Sequence, residues 1–239
     1  LAIKNVVIFD REFDISYEIV NPTAKKDIVF LHGWGSNKQI MKNAFSNTLP
    51  NFRHIYIDMP GFGKTSNEYI LQTVDYVVII DKFLQAINSV PTAIAGHSYG
   101  GKIATLLKPQ NLILLSTAGI LEEKSFNVKL KILFSKILNK LGLKNFTKIF
   151  RSKDVDSMSE NMYETFKNVV NEDFTTQFAE FPNNALIFWG EDDTATSLDS
   201  GKKISQLIKK STFKSYKGDH YFFCKYAKDI AKSIEDGIF

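Results

Sequence analysis

The run Ile94-Ala95-Gly96-His97-Ser98-Tyr99-Gly100-Gly101 sets a serine between two glycines directly after a short apolar stretch. A strand-to-helix turn of that kind holds its central residue in a strained, exposed position, and a serine there is presented as a nucleophile. Gly96 and Gly100 suit the turn because a side chain at either position would crowd it. Thr92 to Ala95 reads as a buried strand and Tyr99 to Leu107 as a helix, so the context that the turn needs is present.

A serine hydroxyl is a poor nucleophile until a base takes its proton and a carboxylate orients that base. Of the four histidines only His220 follows Ser98, in the loop Lys217-Gly218-Asp219-His220 after a short strand from Phe213 to Tyr216. Carboxylates stand at Gly190-Glu191-Asp192-Asp193, a turn at the end of the apolar strand Ala185-Leu186-Ile187-Phe188-Trp189. Attack on a carbonyl also places negative charge on its oxygen, which two preorganised backbone N–H groups must meet. Tyr99, the residue after the nucleophile, supplies one and Trp34, in the turn His32-Gly33-Trp34-Gly35 after Ile28 to Leu31, supplies the other. With histidine as the base, the rate is expected to fall on acidification through about pH 6.5.

The elements that must position these groups alternate along the chain. A strand pair is expected near Val6 to Phe9 and Ser16 to Val20, a third strand at Ile28 to Leu31 and a fourth at His54 to Asp58, followed by a helix from about Leu71 to Asn88. Strands and helices alternate through Ser98 to a sixth strand at Asn111 to Ser116. From Ile120 to about Phe181 no strand pattern appears, and Val128, Ile132, Ile137, Leu138 and Leu141 recur at helical spacing. Residues 120–181 are therefore expected to form a helical lid inserted into a core made of residues 1–119 and 182–239.

His32-Gly33-Trp34-Gly35, Asp58-Met59-Pro60-Gly61-Phe62-Gly63, the serine turn, Gly190-Glu191-Asp192-Asp193 and Gly218-Asp219-His220 together resemble the α/β-hydrolase superfamily over nearly the whole chain. The resemblance implies an α/β fold with a mostly parallel eight-stranded sheet flanked by helices, a helical lid after the sixth strand, and a site at the carboxyl ends of the strands. It implies Asp193 as the acid, with Asp192 the competing choice and Asp199 a third. It further implies acylation of Ser98, loss of an alcohol or thiol, and hydrolysis of the acyl-enzyme, with small acyl esters the first expectation and no cofactor. Haloalkane dehalogenases and epoxide hydrolases of this fold place an aspartate where Ser98 stands, which disfavours both classes. A lyase or a non-enzymatic ligand receptor on the same fold is the alternative from a different class.

Other residues are read as scaffold. His32 and His97 sit beside glycines in signature turns and are expected to hydrogen-bond locally, and Asp58 to organise its own turn. Gly63-Lys64-Thr65 imitates the end of a phosphate loop, but Asp58 stands where that motif needs its first glycine. Neither H-E-x-x-H, C-x-x-C nor a calcium loop occurs, so no metal site is expected. With 239 residues and 44% hydrophobic content the chain can bury a large core. Its single cysteine, Cys224, allows no intramolecular disulfide, and neither a leader nor an apolar run of membrane-spanning length is apparent, making the cytoplasm the expected location.

A net charge of +4 does not call for a nucleic acid partner. It is unevenly spread, however: Lys124 to Arg151 holds seven lysines and one arginine without an aspartate or glutamate. Lys129, Lys136, Lys140 and Lys144 would share one face of a continuous helix, either as a solvated surface or as a docking surface for an anionic substrate tail, an anionic membrane or an acidic carrier protein. The His-Gly-Trp-Gly turn and this basic run also resemble the pimeloyl-carrier-protein methyl ester esterases, which implies a carrier docked on the lid as a sharper alternative substrate.

Overall fold

Two antiparallel strands, β1 (Ala2–Ile8) and β2 (Arg11–Val20), open the chain and are followed by β3 (Lys26–Leu31), α1 (Lys38–Phe45), β4 (Phe52–Ile57) and α2 (Thr73–Ala86). The serine turn joins β5 (Pro91–His97) to α3 (Tyr99–Leu106), and β6 (Asn111–Leu115) comes next. After it stand α4 (Glu160–Val170), α5 (Thr175–Ala179), β7 (Asn184–Gly190), α6 (Leu198–Leu207), β8 (Ser211–Tyr216) and α7 (Phe223–Ile238). This computed structural model describes residues 2–8, 10–122 and 158–238. The eight strands form one sheet in the order β1-β2-β4-β3-β5-β6-β7-β8, antiparallel where β2 meets β1 and β4 and parallel elsewhere.

The apolar runs of the central strands are explained by burial on both faces. Along β3, Val29 and Leu31 enter one core while Ile28 and Phe30 enter the other, and β6 repeats the alternation with Leu112 and Leu114 against Ile113 and Leu115. The first core is closed by α2, α3, α4, α5 and α6 through residues such as Phe83, Ile103, Val169, Phe178 and Ile204. The second is closed by α1 and α7 through Met41, Phe45, Phe223, Ile230 and Ile234. Burial of each such side chain contributes about 1.5–3 kcal/mol, and the sheet's carboxyl ends are left as the edge where loops from both layers meet.

Most strands run longer than their apolar residues suggest. The β1–β2 ladder pairs Ala2 with Tyr17 and Ile8 with Arg11, through polar positions such as Asn5 and Asp14, because ladder hydrogen bonds are made by the backbone. The stretch after β6 contains α4 and α5 within residues 158–181, both contributing to the core, whereas residues 123–157, with Lys129, Lys136, Lys140 and Lys144, lie outside the described residues. Among the described residues no helix is long and apolar enough to cross a membrane.

Candidate active site

Ser98 sits between β5 and α3 at φ 50° and ψ −115°, a backbone conformation that costs a non-glycine residue about 1–3 kcal/mol. Its surroundings hold it there. The Ser98 N–H donates to Leu115 O at 3.1 Å, and its carbonyl accepts from Gly101 N at 3.0 Å, Ala118 N at 3.1 Å and the Thr117 hydroxyl at 3.0 Å. A Cβ on Gly100 would lie 2.5 Å from Leu31 O, and one on Gly96 would strike the Gly100 carbonyl, so both glycines are required by close backbone approach.

Asp193 and His220 come from different loops, after β7 and β8, and meet with Asp193 Oδ2 2.7 Å from His220 Nδ1. Gly190 permits that meeting, since its Cβ would lie 2.7 Å from Gly218 O, while Glu191 N and Asp192 N donate to Tyr216 O and Gly218 O. The Asp193 carboxylate also accepts from Ala195 N (2.8 Å), Thr196 N (3.0 Å) and the Thr196 hydroxyl (2.9 Å). Burial would raise its pKa, but the hydrogen bonds from His220 and Thr196 outweigh burial and hold it at about 2. An ionised Asp193 fixes the proton of His220 on Nδ1 and leaves Nε2 as an acceptor. Asp192, by contrast, is exposed, and Asp199 pairs on the surface with Lys202 at 3.0 Å.

Gly33 to Ser36 form a turn closed by Ser36 N donating to Gly33 O at 3.2 Å, with Gly35 at φ 72°, the third position of a turn that favours glycine. Trp34 occupies its second position, and its ring meets Phe62 and Tyr99 edge-on at 4.8 and 5.5 Å. The Tyr99 N–H opens α3 and so belongs to the amides that no helical carbonyl serves. His32 braces the turn from below: its Nδ1–H donates to Gly33 O at 2.8 Å and its Nε2 accepts from Met59 N at 3.1 Å. Burial lowers its pKa to about 4, so it stays neutral as scaffold.

Beside Ser98 lies a cavity of about 420 Å³, lined among others by Gly119, Leu121, Glu122, Glu172 and Thr196. That volume is at the small end of ligand sites. Among the described residues, no group of three or more His, Cys, Asp or Glu side chains is placed to hold a metal.

Three features of the site region go beyond what sequence reading provided. Asp58 does more than organise its turn: besides Lys64 N at 3.0 Å it accepts from Lys38 N at 2.8 Å and Lys38 Nζ at 2.5 Å, forming a buried ion pair. His97 reaches beyond its own turn, donating from Nε2 to His220 O at 3.0 Å. Lys102, on α3, is buried and bonds Val169 O at 2.6 Å and Glu172 at 2.9 Å. Apart from Lys64, six residues from Asp58, the partners in these three features are separated by 20 to 123 residues, so no local signal in the sequence announces them.

With the geometry in hand, similarity to known proteins is informative. Residues 27–118 match the family described as alpha/beta hydrolase fold. Over its whole length the chain is similar to an esterase from Exiguobacterium antarcticum, with a TM-score of 0.76, 19% identity and 98% of each chain covered. The chain has the α/β-hydrolase fold. Sequence similarity at higher identity is local to part of that fold: 34% over 95 residues to a pimeloyl-[acyl-carrier protein] methyl ester esterase from Vibrio campbellii, and 28% over 114 residues to a serine hydrolase-like protein from Danio rerio. These matches cover 38% and 44% of this chain and span about a third, 35%, of each relative's own length. The match to the α/β-hydrolase family includes Trp34, Ser98 and Tyr99; Asp193 and His220 lie beyond its end.

Proposed function

We propose that this chain is a serine hydrolase of carboxylic esters, with Ser98 as nucleophile, His220 as base and Asp193 as the acid that orients it. The observation that carries this reading is the 2.7 Å bond between Asp193 and His220, made by two loops on the sheet edge that presents Ser98. His220 Nε2 takes the Ser98 proton as the hydroxyl oxygen attacks the acyl carbon, and the N–H groups of Trp34 and Tyr99 meet the oxyanion. Collapse expels the alcohol with the proton from His220, and a water activated by the same nitrogen releases the acid and regenerates Ser98. The cavity beside Ser98 is where the acyl group would sit, and small acyl esters are the first substrates to test.

Turnover of p-nitrophenyl esters of increasing acyl length by wild type and Ser98→Ala tests this reading. Wild-type turnover lost in the variant supports it, and equal turnover by both refutes it. A second reading is favoured by the similarity to pimeloyl-[acyl-carrier protein] methyl ester esterases: the substrate is a methyl ester on an acyl chain carried by an acidic protein, which docks on Lys129, Lys136, Lys140 and Lys144. Under that reading the carrier-bound ester is hydrolysed far faster than the free methyl ester, and charge reversal of the four lysines removes the difference.

A further inference from the structure

The imidazole of His97 is buried where three functional loops meet. Its Nε2–H donates to the backbone carbonyl of His220 at 3.0 Å, and its ring centroid lies 4.5 Å from that of His220, 5.2 Å from Tyr221 and 4.8 Å from Phe223. On the opposite side a Cβ on Gly33 would lie 3.0 Å from His97 Nδ1, so the ring also bounds the turn that carries Trp34. His97 is itself the residue before Ser98. One side chain therefore touches the nucleophile turn, the oxyanion turn and the loop of the base.

The chemistry of the ring says which of these contacts matters. His97 Nδ1 is buried and has no hydrogen-bond partner among the described residues. An orphaned buried acceptor costs about 1–3 kcal/mol, a cost that an apolar ring of similar shape would avoid. What only the imidazole provides is the Nε2–H donor, and its acceptor is the main chain of His220. Burial, then the neighbouring His220, lowers the pKa of His97 to about 3, so the ring stays neutral with its one proton on the bonded nitrogen.

We propose that His97 is a positioning residue for the base: its Nε2–H bond to the His220 carbonyl fixes the backbone of that loop and so aims the His220 imidazole from Asp193 toward Ser98. The inference rests on the reading of Ser98, Asp193 and His220 given above. It predicts an effect on the chemical step, since a base displaced by about 1 Å costs on the order of 10²-fold in rate, and little effect on substrate binding.

His97→Phe removes the donor and keeps a ring, whereas His97→Gln places an amide N–H near the same point. With a p-nitrophenyl ester, His97→Phe is expected to lower kcat about ten- to a hundredfold with KM within about twofold, and His97→Gln to recover most of that loss. Independently of turnover, the low-field proton resonance of the His220 Nδ1–H to Asp193 bond, assigned by its absence in Asp193→Asn, should broaden or shift in His97→Phe and return in His97→Gln. Thermal unfolding of both variants establishes that they are folded. A wild-type kcat and resonance in folded His97→Phe, or equal losses in folded Phe and Gln variants, would overturn the role of the donor. If His97→Phe does not fold, His97→Gln alone decides: near wild-type kcat and resonance support the donor, and their loss in a folded variant refutes it. If Ser98→Ala retains turnover, the reading of the site fails, while the resonance still reports on the positioning of His220.

Discussion

Asp192 and Asp193 are neighbours with opposite surroundings, and the difference decides what each can do. Asp193 is buried, accepts four hydrogen bonds and touches His220; Asp192 is exposed to solvent. Replacing Asp193 by Asn turns an acceptor into a group that can donate toward His220 Nδ1, which selects the wrong tautomer and leaves Nε2 protonated. Loss of kcat on the order of 10⁴-fold is the expectation from serine enzymes in general. Asp192→Asn should leave kcat within about twofold. Steady-state kinetics on one activated ester checks both, and a larger loss in Asp192→Asn would sink the assignment of the acid. His220→Ala should cost as much as Ser98→Ala, because groups that act as a unit fail together. The turn that carries Ser98, its glycines and the lone downstream histidine were legible in the sequence because residue type and order alone constrain them. Residue type and spacing alone did not separate the adjacent aspartates, which stand in the same turn; the family resemblance pointed to Asp193, and Asp193 is the buried one that meets His220.

At the scale of elements, the site depends on how α3 and α4 are joined. Lys102 of α3 is buried against Phe174, 4.8 Å from its ring, and its ammonium bonds Val169 O and Glu172, while Thr73 at the start of α2 donates to the same carboxylate at 2.5 Å. Burial lowers the pKa of Lys102, with the Glu172 carboxylate opposing that shift. The two partners are not equivalent, since the side chain of Lys102 is 2% exposed and that of Glu172 30%. Removing the acid strands a buried cation, at a cost of about 3 kcal/mol, whereas removing the cation leaves a carboxylate that water can reach. Glu172→Ala is therefore expected to lower Tm by about 6–10 °C, and Lys102→Met by less than half as much. Differential scanning calorimetry of both variants tests the order, and the reverse order would show that the ion pair is not what binds these helices. The positions of most strands and of α2 and α3 followed from apolar period and turn signals, but this junction did not: Lys102 and Glu172 are 70 positions apart, and an isolated lysine in a helix reads as surface. The same holds for Lys38 and Asp58, whose pairing only the folded sheet brings about.

For the molecule as a whole, the buried histidines set how it responds to acid. Burial lowers the pKa of His32 to about 4 and that of His97 to about 3, and it lowers His54 as well. In the unfolded chain histidine titrates near 6.5. Between that value and the folded pKa the unfolded state binds more protons, so stability is full above about pH 6.5 and declines as pH falls, by up to about 1.4 kcal/mol per pH unit for each histidine. Asp193, held at about 2, adds nothing to this window, because its contribution is lost only below the unfolded aspartate pKa near 3.9. His32 and His97 together would remove about 5 kcal/mol by pH 4.5, comparable with the total stability of a typical domain. Tm should accordingly be nearly flat above pH 7 and fall steeply from pH 6.5 to 4.5, with unfolding coupled to uptake of about two protons. Self-repulsion of a chain with net charge +4 also grows in acid, and His97→Gln separates the two effects by reducing the coupled uptake by about one proton while leaving net charge at neutral pH unchanged. A Tm that does not change between pH 7 and 4.5, or a His97→Gln variant with the wild-type pH slope, would show that these rings are not held neutral by the fold. If Tm instead falls as expected, the burial that keeps His97 a one-proton donor toward His220 is also a source of acid sensitivity for the whole protein, so that under the proposed role of His97 the alignment of His220 and stability at low pH trade against each other through a single side chain.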